Sequence, residues 1–365
     1  MSYKNSIKIL LTGGGTGGSV MPLLVIVEEI GNLEFLWLGT KKGPERQMVE
    51  KEGIKFKAIA NGKLRRYFSL RNFIDPVFIF FGFVQAFFII LKWKPSLVIS
   101  AGSFVGVPVV WSAWLLRVPI LIHQQDARPG LANKLMAPFA RVITVTFEKS
   151  LADYGKKAVW TGNPIRYNLK IKNKKQNIKN YYNIKTDLPV VLVIGGGTGA
   201  LAINQLVEQS LGELIKICQI IHITGKNKNR SNLVSSKETK LLRFYHTFEF
   251  LNAEEMANAY AIADMVVSRA GMGVLTELSY LAKPAILIPI PDSHQEDNVK
   301  IFKGQNAAIV LDQKQLTAEK LVDKIRKLIN NKELQKELSK NIRQVIKRGA
   351  NEEIVKIIVN ILSKE

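Results

Sequence analysis

Residues 190–200 read VVLVIGGGTGA, and residues 7–18 read IKILLTGGGTGG. Each is an apolar strand-like run that stops at bare glycines and restarts as a helix-forming segment. Such a turn leaves backbone N–H groups pointing at open space with the helix dipole behind them, which attracts phosphate or pyrophosphate. One turn in each half of a 365-residue chain suggests two similar α/β domains facing each other across a cleft, with the chemistry in the cleft.

Both turns also fit the G-x-G-x-x-G/A pattern of dinucleotide-binding folds. That pattern expects an acidic residue roughly 20 residues on, at the end of the next strand, to hold the ribose. The strand at 34–38 instead runs into Gly39-Thr40-Lys41, and the strand at 219–223 into Thr224-Gly225-Lys226. A dinucleotide is therefore disfavoured.

Strand and helix patterns alternate outward from these turns. Strands are expected at 7–11, 34–38, 55–60, 97–100, 120–123, 142–146 and 157–160, with helices at 21–30, 42–51, 73–91, 107–116 and 131–140. The pattern restarts after Pro189, with strands at 190–194, 219–223, 247–250, 265–267 and 285–288 and helices at 202–214, 252–261 and 274–282. A block at 317–363 is helical by periodicity and charge. The alternation predicts an α/β fold with parallel sheets covered by helices on both faces. The domains expected are 1–163, a linker at 164–188, a second domain at 189–340, and a C-terminal helix at 341–365 that packs back on the first domain.

A single cysteine, Cys218, excludes an internal disulfide and fits a reducing cytoplasm. The N-terminus runs directly into a strand, so no signal peptide is expected. With four histidines and that one cysteine, no metal site is expected, and no cofactor. The formal net charge of +22 calls for an anionic partner. Part of the excess lies in the Lys/Asn-rich stretch 166–185, which lacks the stacking aromatics and glycines of an RNA module and reads as a solvated linker. No nucleic-acid partner is expected.

A membrane surface is better supported. Residues 73–91, FIDPVFIFFGFVQAFFIIL from Phe73 to Leu91, form the most apolar run in the chain, with Lys63, Arg65, Arg66 and Arg71 before it and Lys92 and Lys94 after. Spanning takes about 20 apolar residues, and Asp75, Pro76 and Gln85 leave the clean stretch short of that. A buried core helix is the plainer alternative. An interfacial helix with basic residues on the headgroups fits both length and flanks.

Ligands of open parallel sheets bind beyond the carboxyl ends of the strands, where several unusual segments fall. Residues 268–277, SRAGMGVLTE, end a strand and begin a helix, with Glu277 in its first turn, placed either to grip a ribose diol or to cap the helix. Pro289-x-Pro291-x-x-His294-Gln295-x-x-Asn298 reads as a proline-shaped loop whose amides suit sugar hydroxyls. His123-Gln124-Gln125-Asp126 follows another buried strand and offers two proton acceptors, His123 and Asp126, although either could serve only the sheet end or the next helix. Arg166 places a permanent cation at the domain junction, suited to a diphosphate.

Taken together, GGGTGGSVMPLL at 13–24, AGSFVGVP at 101–108, HQQDARPGLANK at 123–134, TGNPIR at 161–166, GGGTGALAIN at 195–204, the segment 268–291 and HQEDN at 294–298 resemble the MurG family of UDP-N-acetylglucosamine transferases. The resemblance covers about residues 7–350. It implies a two-domain GT-B fold and inverting, metal-independent transfer of N-acetylglucosamine from UDP-GlcNAc to the MurNAc 4-hydroxyl of lipid I, an undecaprenyl-linked acceptor, at the cytoplasmic face of the membrane. It implies that the N-terminal domain takes the acceptor and the C-terminal domain the donor. On this resemblance Thr16, Gly17 and Gly18 line the first loop, Arg166 and Gly197 approach UDP, and Leu251 contacts uracil through its backbone. Met272, Gly273, Val274, Leu275, Thr276 and Glu277 hold diphosphate and ribose, and Gln295 contacts the sugar.

The chain also departs from the family pattern. Ser19 stands where the first loop usually carries a histidine, His123-Gln124-Gln125-Asp126 replaces HEQN, and Gly197 replaces a serine. A serine does not accept protons near neutral pH, so the expected general base is Asp126, with a variant in which Ser19 positions substrate and His123 is the base. Two other readings remain: the same fold acting on diacylglycerol or another polyprenyl carrier, and a UDP-sugar-binding membrane protein without activity.

Overall fold

The computed structural model describes residues 7–31, 33–62, 71–166, 178–179, 181–184, 187–196, 199–226 and 243–363, with the backbone alone at 71–73. Lys63, Arg65, Arg66, Gly197 and most of the expected linker lie outside the described residues. The chain divides into two compact units, Met1–Ile165 with Lys347–Glu365, and Arg166–Ile346.

Unit 1 is built on strands β1 (Lys8–Thr12), β2 (Glu34–Gly39), β3 (Lys55–Ala58), β4 (Leu97–Ser100), β5 (Ile120–Gln124), β6 (Val142–Val145) and β7 (Ala158–Trp160). They form one parallel sheet in the order β3-β2-β1-β4-β5-β6-β7. Its helices are α1 (Met21–Ile30), α2 (Glu45–Lys51), α3 (Arg71–Trp93), α4 (Gly106–Leu115), α5 (Leu131–Met136) and α6 (Leu151–Tyr154). The central strands are apolar at nearly every position because both faces of the sheet are covered.

Unit 2 repeats the plan. Strands β8 (Val190–Ile194), β9 (Gln219–Ile223), β10 (Tyr245–Phe248), β11 (Met265–Ser268), β12 (Ala285–Leu287) and β13 (Ile309–Val310) pair in parallel in the order β10-β9-β8-β11-β12-β13. Helices α7 (Leu201–Leu214), α8 (Ala253–Ile262), α9 (Met272–Leu281), α10 (His294–Gly304), α11 (Ala318–Asn330) and α12 (Lys332–Val345) surround them. The helical block at 317–363 resolves into α11, α12 and α13 (Ala350–Leu362). The last belongs to unit 1, where Ile354, Ile358 and Ile361 line one face and join the core with Leu23 and Ile26 of α1.

In both sheets the chain reverses direction of travel at the centre, between β1 and β4 and between β8 and β11. The segments following these four strands therefore part from one another and open a crevice at the strands' carboxyl ends, the position such sheets use for ligands. The first glycine turn, Gly195 and Gly196 of the second, and the 268–277 segment follow these strands.

Three expectations need correction. His294, Gln295 and Asn298 lie on helix α10, capped by the Ser293 hydroxyl on the Gln295 N–H, rather than in a loop. The third strand of unit 2 is Tyr245–Phe248, two residues earlier than expected. Helix α3 runs 23 residues, and its Ile74–Trp93 stretch is long and apolar enough to cross a membrane by length and composition, with 17% of its most apolar window buried.

That last figure removes the core-helix alternative. Gly82, Ala86 and Ile90 form the narrow buried stripe of α3, and a Cβ at Gly82 would overlap the Ala60 carbonyl. Ile74, Val77, Phe78, Phe80, Phe81, Phe88 and Leu91 are exposed. Ser112 of α4 donates to the Phe83 carbonyl at 2.9 Å, tying the helix sideways to unit 1. A helix anchored along its length to its own domain lies on that domain's surface.

Candidate active site

In unit 2 the crevice is organised around the start of α9. Its N-cap is Gly271, in extended conformation and with no side-chain cap, so among the described residues no side chain caps the first amides of the helix. The contrast with α8 is direct, because there Asn252 and Glu255 form a complete capping box.

The turn into α9 is held from α10. Gln295 Oε1 accepts from the amides of Ala270 at 3.2 Å and Ile290 at 3.1 Å. Asn298 Nδ2 donates to the Ala270 carbonyl at 3.3 Å. With its oxygen engaged twice, Gln295 turns its amide nitrogen toward Gly271, where a Cβ would lie 4.0 Å away. Arg269 is buried, donating through Nη1 to the carbonyls of Ile288 and Pro289, and its Nε has no hydrogen-bond partner among the described residues.

Glu277 lies beyond the first turn of α9 rather than within it, too far in to cap the helix, and is nearly enclosed at 7% exposure. Tyr260 donates its hydroxyl to Oε2 at 2.8 Å, and the Arg166 guanidinium lies 3.7 Å from Oε1. Burial pushes the Glu277 carboxyl above its ordinary range, while Arg166 and the Tyr260 hydroxyl pull it back. Burial foremost, with the adjoining carboxylate, raises the Tyr260 phenol well above its usual value, so it stays a donor. The arrangement is a buried carboxylate held ready for hydroxyl donors, beside a cation and uncapped helix amides.

The other expected positions divide. Met272 begins the helix and Gly273 is exposed beside it; Val274 is half-buried. Leu275 points into the core and its N–H already bonds the Gly271 carbonyl. The Thr276 hydroxyl donates back to the Met272 carbonyl at 2.7 Å. Leu251 is buried just ahead of the Asn252 cap, at the carboxyl end of β10.

In unit 1 side chains engage the carbonyls of the first glycine turn. Ser19 is buried and donates to the carbonyls of Gly14 at 3.2 Å and Thr16 at 3.5 Å. Ser103 donates to the same Gly14 carbonyl at 2.7 Å, and Trp37 Nε1 to the Gly13 carbonyl at 3.0 Å. A Cβ at Gly13 would sit 2.6 Å from the Ser19 carbonyl, so glycine is required there. Thr16 and Gly18 are exposed and Gly17 half-exposed.

His123 is fully buried. Nδ1 meets Thr144 Oγ1 at 2.9 Å and Nε2 meets Asn163 Oδ1 at 2.7 Å. Burial lowers its pKa to about 4 against a smaller opposing pull from the Asn163 hydrogen bond. With both ring nitrogens engaged inside the sheet, His123 does not present a base to a substrate, which counts against the variant that assigns it the proton. Asp126 is half-buried, the second residue of the loop after β5. That loop is shaped by Gln124, whose Nε2 donates to the carbonyls of Asp126 at 2.8 Å and Arg128 at 3.3 Å. Gln124 Oε1 in turn accepts from Asn133 and, at 2.9 Å, from the Tyr154 hydroxyl. Gln125 reaches the Ala101 carbonyl at 3.4 Å, linking the loop to the one after β4.

Sequence reasoning did not single out Tyr260, Gln124 as organiser, or Glu45. Tyr260 carries no local signal, since its partner is 17 residues away.

Residues 9–145 match the glycosyltransferase family 28 N-terminal domain and residues 190–354 its C-terminal domain. The chain belongs to glycosyltransferase family 28. A relative from Clostridium tetani (strain Massachusetts / E88) is 39% identical over 333 residues, covering 89% of this chain and 91% of that protein. One from Clostridium kluyveri is 40% identical over 328 residues, covering 88% and 91%. Both are named UDP-N-acetylglucosamine--N-acetylmuramyl-(pentapeptide) pyrophosphoryl-undecaprenol N-acetylglucosamine transferase. Among solved structures, Acinetobacter baumannii MurG superposes with a TM-score of 0.75 at 23% identity over 97% of this chain and 99% of that one. A Neisseria meningitidis UDP-GlcNAc 2-epimerase bound to UDP-GlcNAc gives 0.69 at 15% identity, covering 97% and 100%. At these identities the structures speak for the two-domain GT-B fold that family 28 shares with the epimerases.

Proposed function

We propose that this family 28 member transfers N-acetylglucosamine from UDP-GlcNAc to the 4-hydroxyl of MurNAc in lipid I, giving lipid II for peptidoglycan synthesis. The reaction is that for which relatives at about 40% identity across nearly nine-tenths of the chain are named. The observation in the structure that carries the donor half is the start of α9, where uncapped amides lie on the same helix as buried Glu277 and its partner Arg166.

In this reading the amides at Met272, Gly273 and Val274 and the Arg166 guanidinium hold the diphosphate. Positive helix ends and guanidinium groups stabilise a leaving pyrophosphoryl group as negative charge builds on it. Glu277 accepts from the ribose diol, which restores hydrogen bonds to a carboxylate that burial otherwise penalises. Leu251 lies against uracil and Gln295 Nε2 against the sugar. Gly197 joins the phosphate side of the second turn.

The acceptor oxygen attacks the anomeric carbon as the bond to the UDP oxygen breaks, and UDP leaves with the bonding pair. The hydroxyl proton goes to the Asp126 carboxylate, general base catalysis at the one candidate of Asp126, Ser19 and His123 that is neither fully buried nor a hydroxyl. Thr16, Gly17 and Gly18 line the acceptor side, and Ser19 acts by shaping the turn. The exposed aromatic face of α3, with exposed Lys92 and Lys94 at its end, rests on the anionic cytoplasmic membrane surface, where the acceptor is found.

UDP release from UDP-GlcNAc, measured with synthetic lipid I, with diacylglycerol and with no lipid, tests the reading. Release is expected with lipid I alone. Release with diacylglycerol alone would move the enzyme to another acceptor, and tight UDP-GlcNAc binding without release would make it a binding protein. Serine at Phe80, Phe81 and Phe88 is expected to abolish salt-sensitive binding to anionic liposomes; unchanged binding would remove α3 as the contact.

A further inference from the structure

The first glycine turn contains an anion of its own. Glu45, the first residue of α2, is completely buried. Its Oε2 accepts from the Gly15 amide at 3.1 Å, and its Oε1 accepts from the Thr40 amide at 2.7 Å and from the Thr40 hydroxyl. Three glycines make room for it: a Cβ at Gly14 or Gly43 would overlap the carboxylate, and one at Gly39 would come within 3.2 Å of Glu45 Cγ. Glycines at three separated positions around one side chain mark a cradle, and Gly15, whose N–H the carboxylate holds, sits at a positive φ of +78°.

A buried carboxylate is costly unless charge-assisted hydrogen bonds surround it, and here backbone and hydroxyl donors do so. No part of the transfer chemistry uses this group. We infer that Glu45 is a positioning residue that serves as a resident anion of the first turn, closing the Gly15 amide to phosphate so that the donor's diphosphate is accepted by unit 2 alone and the first turn keeps the shape that receives the acceptor. The inference deepens the functional reading above and rests on its assignment of the acceptor to unit 1.

Amide hydrogen exchange of the peptide spanning residues 12–20 tests the closure without reference to activity. In Glu45→Gln the side-chain amide sets a donor against the Gly15 N–H, and one amide in this peptide is expected to exchange faster than in the wild type. Millimolar inorganic pyrophosphate is expected to slow that exchange in the variant and leave the wild type unchanged. In steady-state assays the acceptor KM is expected to rise about tenfold while the donor KM stays within about twofold, the size set by one lost charge-assisted hydrogen bond.

Glu45→Asp, which keeps the charge but shortens its reach, is expected to give a smaller acceptor shift and serves if the glutamine variant does not fold. Thr40→Val, which removes one donor but leaves the Gly15 contact, is expected to lower the thermal midpoint without the KM split. Unchanged exchange in both Glu45 variants, pyrophosphate protection of the wild-type peptide, or equal rises in both KM values would overturn the inference. A wild type inactive on lipid I that still shows the exchange pattern would instead remove the functional reading.

Discussion

The turn that ends β1 and the turn that ends β11 flank the central reversals of two sheets of like topology, on opposite strands of the reversal, and side chains finish them differently. The first carries the more conspicuous sequence, GGGTGG, yet the fold engages part of it from within: Glu45 accepts from the Gly15 amide, and Ser19, Ser103 and Trp37 donate to the Gly13 and Gly14 carbonyls. The second is plainer, SRAGMG, and its helix starts without a side-chain cap. A glycine-rich turn therefore states that the backbone comes close to something. Whether that something is a ligand or the chain itself depends on what the fold brings alongside.

The largest effect that would break this division of labour lies in unit 1. Asp126→Asn is expected to cut turnover by about a hundredfold or more, the scale of a lost general base, while leaving UDP affinity unchanged. Stopped assays of UDP release together with UDP titration check both halves.

Next in size is an acid effect that the two units share. His123 and His222 are buried, each bridged through both ring nitrogens, His222 to Tyr245 and Asn204. Burial lowers both to about 4 from an ordinary 6.5. The neutral form is favoured in the folded state, so the unfolded chain binds protons first as pH falls. The stabilisation is complete above about 6.5 and is lost progressively toward 4, worth up to about 3 kcal/mol for each histidine. Denaturant unfolding between pH 7 and pH 4 should show it, and a flat profile would contradict the burial.

Smaller and confined to unit 2, Glu277→Gln is expected to weaken UDP binding about tenfold, since a neutral amide replaces a charged acceptor. Calorimetric titration with UDP measures it, with the Asp126 variant as the contrasting case. Smallest, Ser19→Ala removes two weak hydrogen bonds within the first turn and should cost about 1 kcal/mol of stability, with little change in UDP affinity.

The sheets were legible because fully buried parallel strands are short apolar runs, VVLVI and KILLT among them, bounded by glycine. The stretch 289–298 was misread because α10 buries little besides Val299 and Phe302 on its apolar side, leaving weak periodicity. The capping pattern Ser293-x-x-Glu296 was the available signal. Glu45 was invisible for a different reason. In sequence it is one charge in a polar helix, and only contacts with Gly14, Gly39 and Gly43, up to 31 positions away, bury it. His123 likewise offered no local sign that its partners would be Thr144 and Asn163.

The most direct test of the account is differential amide hydrogen exchange with and without saturating UDP. Slower exchange in peptides covering 270–276, with no change in those covering 13–18, is the result expected if the donor is held by the uncapped start of α9. Protection of 13–18, or none at 270–276, would contradict the assignment of the nucleotide to unit 2.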